Sequence, residues 1–157
     1  MELRLPLEVF PGRQATCRAV FGTWGSFPDD ARASHCPFVL TSFTGHPRNL
    51  DDKQILAINE NDGMIGVTYA RQFLNQDINK ACIDDVYRHI DYILNLMGND
   101  DHVGFGSDFD GTTLPYDMQG VQSYKEIIEY LQSKNYSDST IEKLSHKNAL
   151  NLLQKVL

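Results

Sequence analysis

The run His102-Val103-Gly104-Phe105-Gly106-Ser107-Asp108-Phe109-Asp110-Gly111 sets a short apolar stretch directly against two aspartates spaced i, i+2. Its first half lies between polar flanks and has the length of a buried strand, so residues 102–106 predict a strand that opens straight into an acidic loop. The neighbouring segments decide which kind of sheet it joins. Upstream, residues 82–97 place Ile83, Val86, Ile90, Ile93, Leu94 and Met97 at helical spacing, with Gly98 where a helix ends on a left-handed residue. Before that helix, Met64-Ile65-Gly66-Val67-Thr68-Tyr69 predicts a second strand. A shorter helix carrying Ile55, Leu56 and Ile58 precedes it, capped by Asp51 or Asn49 and stopped by Asn61-Asp62-Gly63. Phe38-Val39-Leu40 predicts the first strand. Downstream, two helices close the chain: residues 123–133 with Tyr124, Ile127, Ile128 and Leu131, and a last helix capped by Ser137 carrying Ile141, Leu144, Leu152, Leu153 and Val156.

Strand and helix alternate, which implies βαβ units and a parallel sheet, because each strand needs a crossover to return to the same edge. Three such units fall short of a closed barrel, which typically needs about 250 residues. Residues 37–157 therefore read as an α/β unit, whereas residues 1–36 show no sustained period of 2 or 3.6 and read as an irregular N-terminal segment.

The 157 residues, 41% hydrophobic, are enough for one compact core. Fourteen basic against twenty-one acidic residues leave a charge of -7, which repels phosphate backbones and anionic lipid surfaces and speaks against nucleic-acid or membrane partners. Cys17, Cys36 and Cys82 are odd in number and form no CxxC pair, so they read as reduced thiols. With no apolar run of secretory or spanning length, the expectation is a cytoplasmic chain.

In a parallel sheet the C-terminal strand ends form the ligand-facing rim, so Asp108 and Asp110 are the first candidates for chemistry. The plain alternative is a turn at Asp110-Gly111 and a helix-cap or loop carboxylate at Asp108. The run Asp108-Phe109-Asp110-Gly111-Thr112 also satisfies the opening DxDGT of haloacid-dehalogenase-like phosphatases. Those enzymes carry the motif on their first strand with most of the sheet after it, whereas here only helices are predicted to follow. A second candidate is His46-Pro47-Arg48-Asn49-Leu50, a proline-stiffened loop whose guanidinium suits a carboxylate, its planar fork donating two parallel hydrogen bonds. Alone, Arg48 would be a solvated or structurally paired arginine and His46 a loop histidine.

Taken in order, His46-Pro47-Arg48-Asn49-Leu50, Ile65-Gly66-Val67, His89-Ile90-Asp91-Tyr92-Ile93, the run from His102 to Gly111, and Asn148-Ala149-Leu150-Asn151-Leu152-Leu153 resemble the renal (membrane) dipeptidase family of zinc metallopeptidases. The resemblance implies a metal-dependent-hydrolase-like (β/α)8 TIM barrel, of which this chain would hold about the last three β/α units. It implies hydrolysis of a dipeptide substrate by a hydroxide held between two zinc ions. By position in the motifs, Arg48 is similar to the arginine that grips the substrate carboxylate, and Asp108 to the catalytic aspartate near the substrate amine and the proton transfer; Asp110 would be a neighbouring acid. The family's His-x-Asp, bridging Glu and Ser-His-Val-Ser-like strand have no counterpart upstream of residue 35, and His35 in Ser34-His35-Cys36 is the single candidate metal ligand. The expectation is a truncated dipeptidase, inactive alone. The alternative is a non-catalytic subunit that associates through its open barrel edge, with a second copy or a complementary fragment.

Overall fold

The computed structural model describes residues 37–38, 41–46 and 49–156. His35, Arg48, Val39 and Leu40, on which several of these expectations fall, lie outside the described residues. Three parallel strands, β1 (Pro37–Phe38), β2 (Ile65–Thr68) and β3 (Val103–Ser107), lie in the order β1-β2-β3. Phe38 registers with Val67, and Ile65 with Val103. Helices α1 (Thr41–Thr44) and α2 (Asp52–Glu60) cross from β1 to β2, and α3 (Arg71–Leu74) and α4 (Ile83–Met97) from β2 to β3. All four positions of β2 are buried, as befits a central parallel strand covered on both faces. The α/β expectation thus holds, with β1 registered over Pro37 and Phe38. The DFDGT run follows the last of the three described strands, at an edge of the sheet, and only helices come after it.

Local chemistry explains the helix ends. Asp51 is the cap of α2: its carboxylate accepts the Gln54 N–H at 2.9 Å while the Gln54 side chain accepts the Asp51 N–H at 2.9 Å, a reciprocal pair that satisfies two orphan donors. After α2 it is Asp62, not Gly63, that turns left-handed (φ +56°), as a short polar side chain permits. Leu56 is exposed, leaving Ile55 and Ile58 as the buried stripe. Gly98 ends α4 at φ +70°, its N–H returning to Leu94 O at 2.9 Å. Val86, Ile90, Ile93 and Met97 of α4 pack into one core with Ile65, Val67 and Tyr69.

Beyond β3 come α5 (Ser123–Ser133), α6 (Asp138–Glu142), a π-helical stretch (Lys143–Lys147) and α7 (Asn148–Val156). The single last helix expected from Ser137 is therefore interrupted by the π turn, although Ser137 does cap it, accepting the Thr140 N–H at 3.1 Å. Leu153, expected on its apolar face, is exposed, while Leu152 is buried. At the first residue of α7, the Asn148 amide donates to Asp100 O (2.7 Å) and Val103 O (2.8 Å). Because Ile65 N takes His102 O, the Val103 carbonyl points away from β2, and Asn148 occupies that outer edge as a neighbouring strand would. No described helix is long and apolar enough to cross a membrane.

Candidate functional site

At the C-terminal ends of the strands three loops meet. Segment 69–74, which follows β2, is fastened on one side to the loop after β1: Asn49 Nδ2 donates to Phe73 O at 3.0 Å and the His46 ring meets the Phe73 ring at 4.7 Å. On the other side it holds the loop after β3. Tyr69 N donates to Ser107 O (2.9 Å), Arg71 N to Thr113 O (3.2 Å), and the Gln72 amide reaches the Thr112 hydroxyl at 3.3 Å. Further out, Tyr116 N donates to Ala81 O and the Asp117 carboxylate accepts the first N–H of α4, both at 3.1 Å.

Asp108 stands at the end of β3 with φ +70°, next to Ser107 at φ +44°. Two consecutive left-handed residues other than glycine each cost about 1 kcal/mol or more, so the surrounding contacts must hold them there. The turn is closed by Gly111 N donating to Asp108 O at 3.1 Å. A Cβ at residue 111 would come within 2.5 Å of Asp108 Oδ1, so the carboxylate lies directly over a glycine that leaves it room. Asp108 is part-exposed and, among the described residues, no donor engages its side chain. Asp110 is exposed. Residues 108–111 form a turn, and Asp108 is a part-exposed loop carboxylate rather than a helix cap.

Arg48 and His35 lie outside the described residues; of the segment around Arg48, His46 and Asn49 are described, joined by Asn49 N donating to His46 O at 3.0 Å. Among the described residues no three of His, Cys, Asp and Glu are grouped to hold a metal ion, so nothing there fits the two zinc ions that the resemblance implies.

His89 entered the sequence reading only as part of the motif His89-Ile90-Asp91-Tyr92-Ile93, with no sign of its burial. It is buried in α4 with Nε2 donating to Leu74 O at 3.1 Å, and burial pushes its pKa down to about 4, against the opposing pull of that hydrogen bond. A cavity of about 240 Å³ beside it is lined by Phe43, Leu74, Asn75, Gln76, Asp85 and Arg88. Its charges are already engaged: Arg88 lies 3.6 Å from Asp85 and 5.0 Å over the Phe43 ring, and Asp85 also accepts from Asn75 and from Cys82 N at 3.0 Å.

Residues 33–157 match the sequence profile of the membrane dipeptidases, peptidase family M19. A protein of Klebsiella pneumoniae described as an uncharacterized protein in the pqqA 5' region is 37% identical over 83% of this chain and 51% of its own length. Dipeptidase aclJ of Aspergillus oryzae is 32% identical over 90% of this chain and 33% of its own length. Among solved structures, a metallopeptidase from Rhodobacter sphaeroides, liganded with a phosphinate mimic of the dipeptide L-Ala-D-Ala, superposes with a TM-score of 0.74 at 33% identity. It covers 80% of this chain, which spans 36% of that one. The chain thus spans about half the length of the first relative and about a third of the others. A parallel α/β sheet with an aspartate presented at its C-terminal rim, together with a profile match over most of the chain, makes this protein a member of the membrane dipeptidase family of peptide hydrolases.

Proposed function

We propose that this chain supplies the substrate-gripping side of a metallodipeptidase site, Arg48 taking the C-terminal carboxylate of a dipeptide through its planar fork and Asp108 its N-terminal ammonium. One observation carries this reading: segment 69–74 is bonded both to the described neighbours of Arg48, His46 and Asn49, and to the turn that presents Asp108. The Asp108 carboxylate, part-exposed and not engaged by a described donor, is free to accept an ammonium group. A relative solved with a dipeptide mimic points to the same substrate class.

Among the described residues no group of His, Cys, Asp and Glu forms a zinc site. His35, one ligand, would not hold Zn²⁺ tightly by itself. The isolated chain is accordingly expected to bind dipeptides and to hydrolyse none.

Calorimetric titration of the purified chain with L-Ala-D-Ala and with its phosphinate mimic tests the proposal. Arg48→Lys is expected to weaken binding about tenfold through loss of the bidentate contact. Asp108→Asn is expected to weaken it similarly, but to leave binding of the N-acetylated dipeptide, which has no ammonium, unchanged. Equal affinity in wild type and both variants would refute the assignment.

A further inference from the structure

Asp108 is the substrate contact of the proposed function, and the backbone that carries it departs from regular strand geometry in three linked ways. Between β2 and β3 the register steps by one residue on β2 and two on β3, from Val67 opposite Phe105 to Thr68 opposite Ser107, so Gly106 is the extra residue of a bulge. A Cβ on Gly106 would come within 2.7 Å of the Gly66 carbonyl carbon and oxygen, backbone atoms that cannot yield, so only glycine fits the bulge. The two residues that follow, Ser107 and Asp108, are both left-handed. Bulges at strand ends commonly re-aim a side chain.

One residue holds both flanks of this re-aimed aspartate. Tyr69 donates its N–H to Ser107 O at 2.9 Å, and its ring meets the Phe109 ring edge-on, centroids 5.4 Å apart. Its own segment is braced by Ala70 N donating to the Thr68 hydroxyl at 3.2 Å. The Tyr69 side chain is fully buried, and its hydroxyl makes no hydrogen bond among the described residues. The ring, not the hydroxyl, makes the contact with Phe109.

We propose that Tyr69 is a positioning residue for Asp108: gripping the residue on each side, it keeps the carboxylate in the left-handed pose from which it meets a dipeptide ammonium. The inference rests on the proposed function for its substrate, but its geometric core does not. Residue 69 is forty positions from Phe109 in sequence, and the two come together because their strands pair.

Two readouts on the isotopically labelled full chain test it: the amide–Hα coupling and intraresidue cross-peaks of Asp108, which report its φ, and the affinity for the phosphinate mimic of L-Ala-D-Ala. Tyr69→Phe keeps the ring and is expected to match wild type in both. Tyr69→Leu is expected to take Asp108 out of the left-handed region and to weaken the mimic about tenfold. Phe109→Leu, at a part-exposed site, is expected to do the same and serves should Tyr69→Leu fail to fold. Val86→Ala, a core truncation in α4, serves as a control for general destabilisation and should leave both readouts unchanged. An unaltered Asp108 φ in Tyr69→Leu or Phe109→Leu, or an equal change in Val86→Ala, overturns the proposal. Failure of the wild-type chain to bind the mimic would strike the dipeptide reading alone, because the backbone readout still decides the role of Tyr69.

Discussion

Acidification from neutrality is expected to destabilise this fold through His89 before most carboxylates matter. The residue is buried in α4, its Nε2–H given to the Leu74 carbonyl, and its pKa is pushed from 6.5 down to about 4, chiefly by burial. A depressed histidine means that the unfolded chain binds the proton more tightly than the folded one. Stability is therefore complete above the unfolded value and falls as pH drops from about 6.5 toward 4. Each tenfold difference in proton affinity between the two states is worth about 1.4 kcal/mol, so the loss is about 2 kcal/mol at pH 5 and reaches about 3 kcal/mol near pH 4. For a chain of this size that is roughly 4–8 °C in Tm at pH 5. Urea unfolding between about pH 7.5 and 5, on wild type and His89→Gln, isolates the effect. Glutamine can donate an amide N–H to Leu74 O and does not titrate, so the variant should start less stable and lose little across the same window. Parallel losses in the two proteins would refute the reasoning, because the carboxylates common to both would then account for the slope.

Gly98→Ala should cost about 1 kcal/mol in chemical denaturation: a Cβ there meets nothing within 4 Å, so the loss is the left-handed backbone at φ +70° alone. Asn148→Ala removes the donor shared by Asp100 O and Val103 O and should cost about 2–3 kcal/mol, seen also as faster hydrogen exchange at the Val103 end of β3. Gly111→Ala should displace the Asp108 carboxylate without unfolding the chain, because the atom met at 2.5 Å is the end of a movable side chain. Weakened dipeptide binding at unchanged Tm is the expected signature.

The helices were legible where one face alternates with another over several turns and the ends carry chemistry of their own. Ile83 to Met97 with Gly98, the Asp51 cap and the Ser137 cap are all local signals, spanning three or four residues at a time. The four-residue helices α1 and α3 are too short to show a period, and the π turn at Lys143–Lys147 leaves no mark on an apolar pattern that continues across it. Asp108 could be picked out as a rim residue because it follows an apolar run, but nothing nearby announces that it and Ser107 are left-handed. His89 falls within a helix read for its apolar residues, so its burial was invisible until α4 was packed.

The sequence alone determined the alternation of strands and helices, hence a parallel sheet, and the motif order that marks the dipeptidase family. Both follow from short-range spacing: side chains three, four or two residues apart share a face whatever the rest of the chain does. Only the tertiary structure decided how Asp108 is held, that Tyr69 grips its flanks, and that Asn148 occupies the outer edge of β3. Those contacts join residues about forty positions apart, and they exist only because strand pairing and helix packing place them side by side.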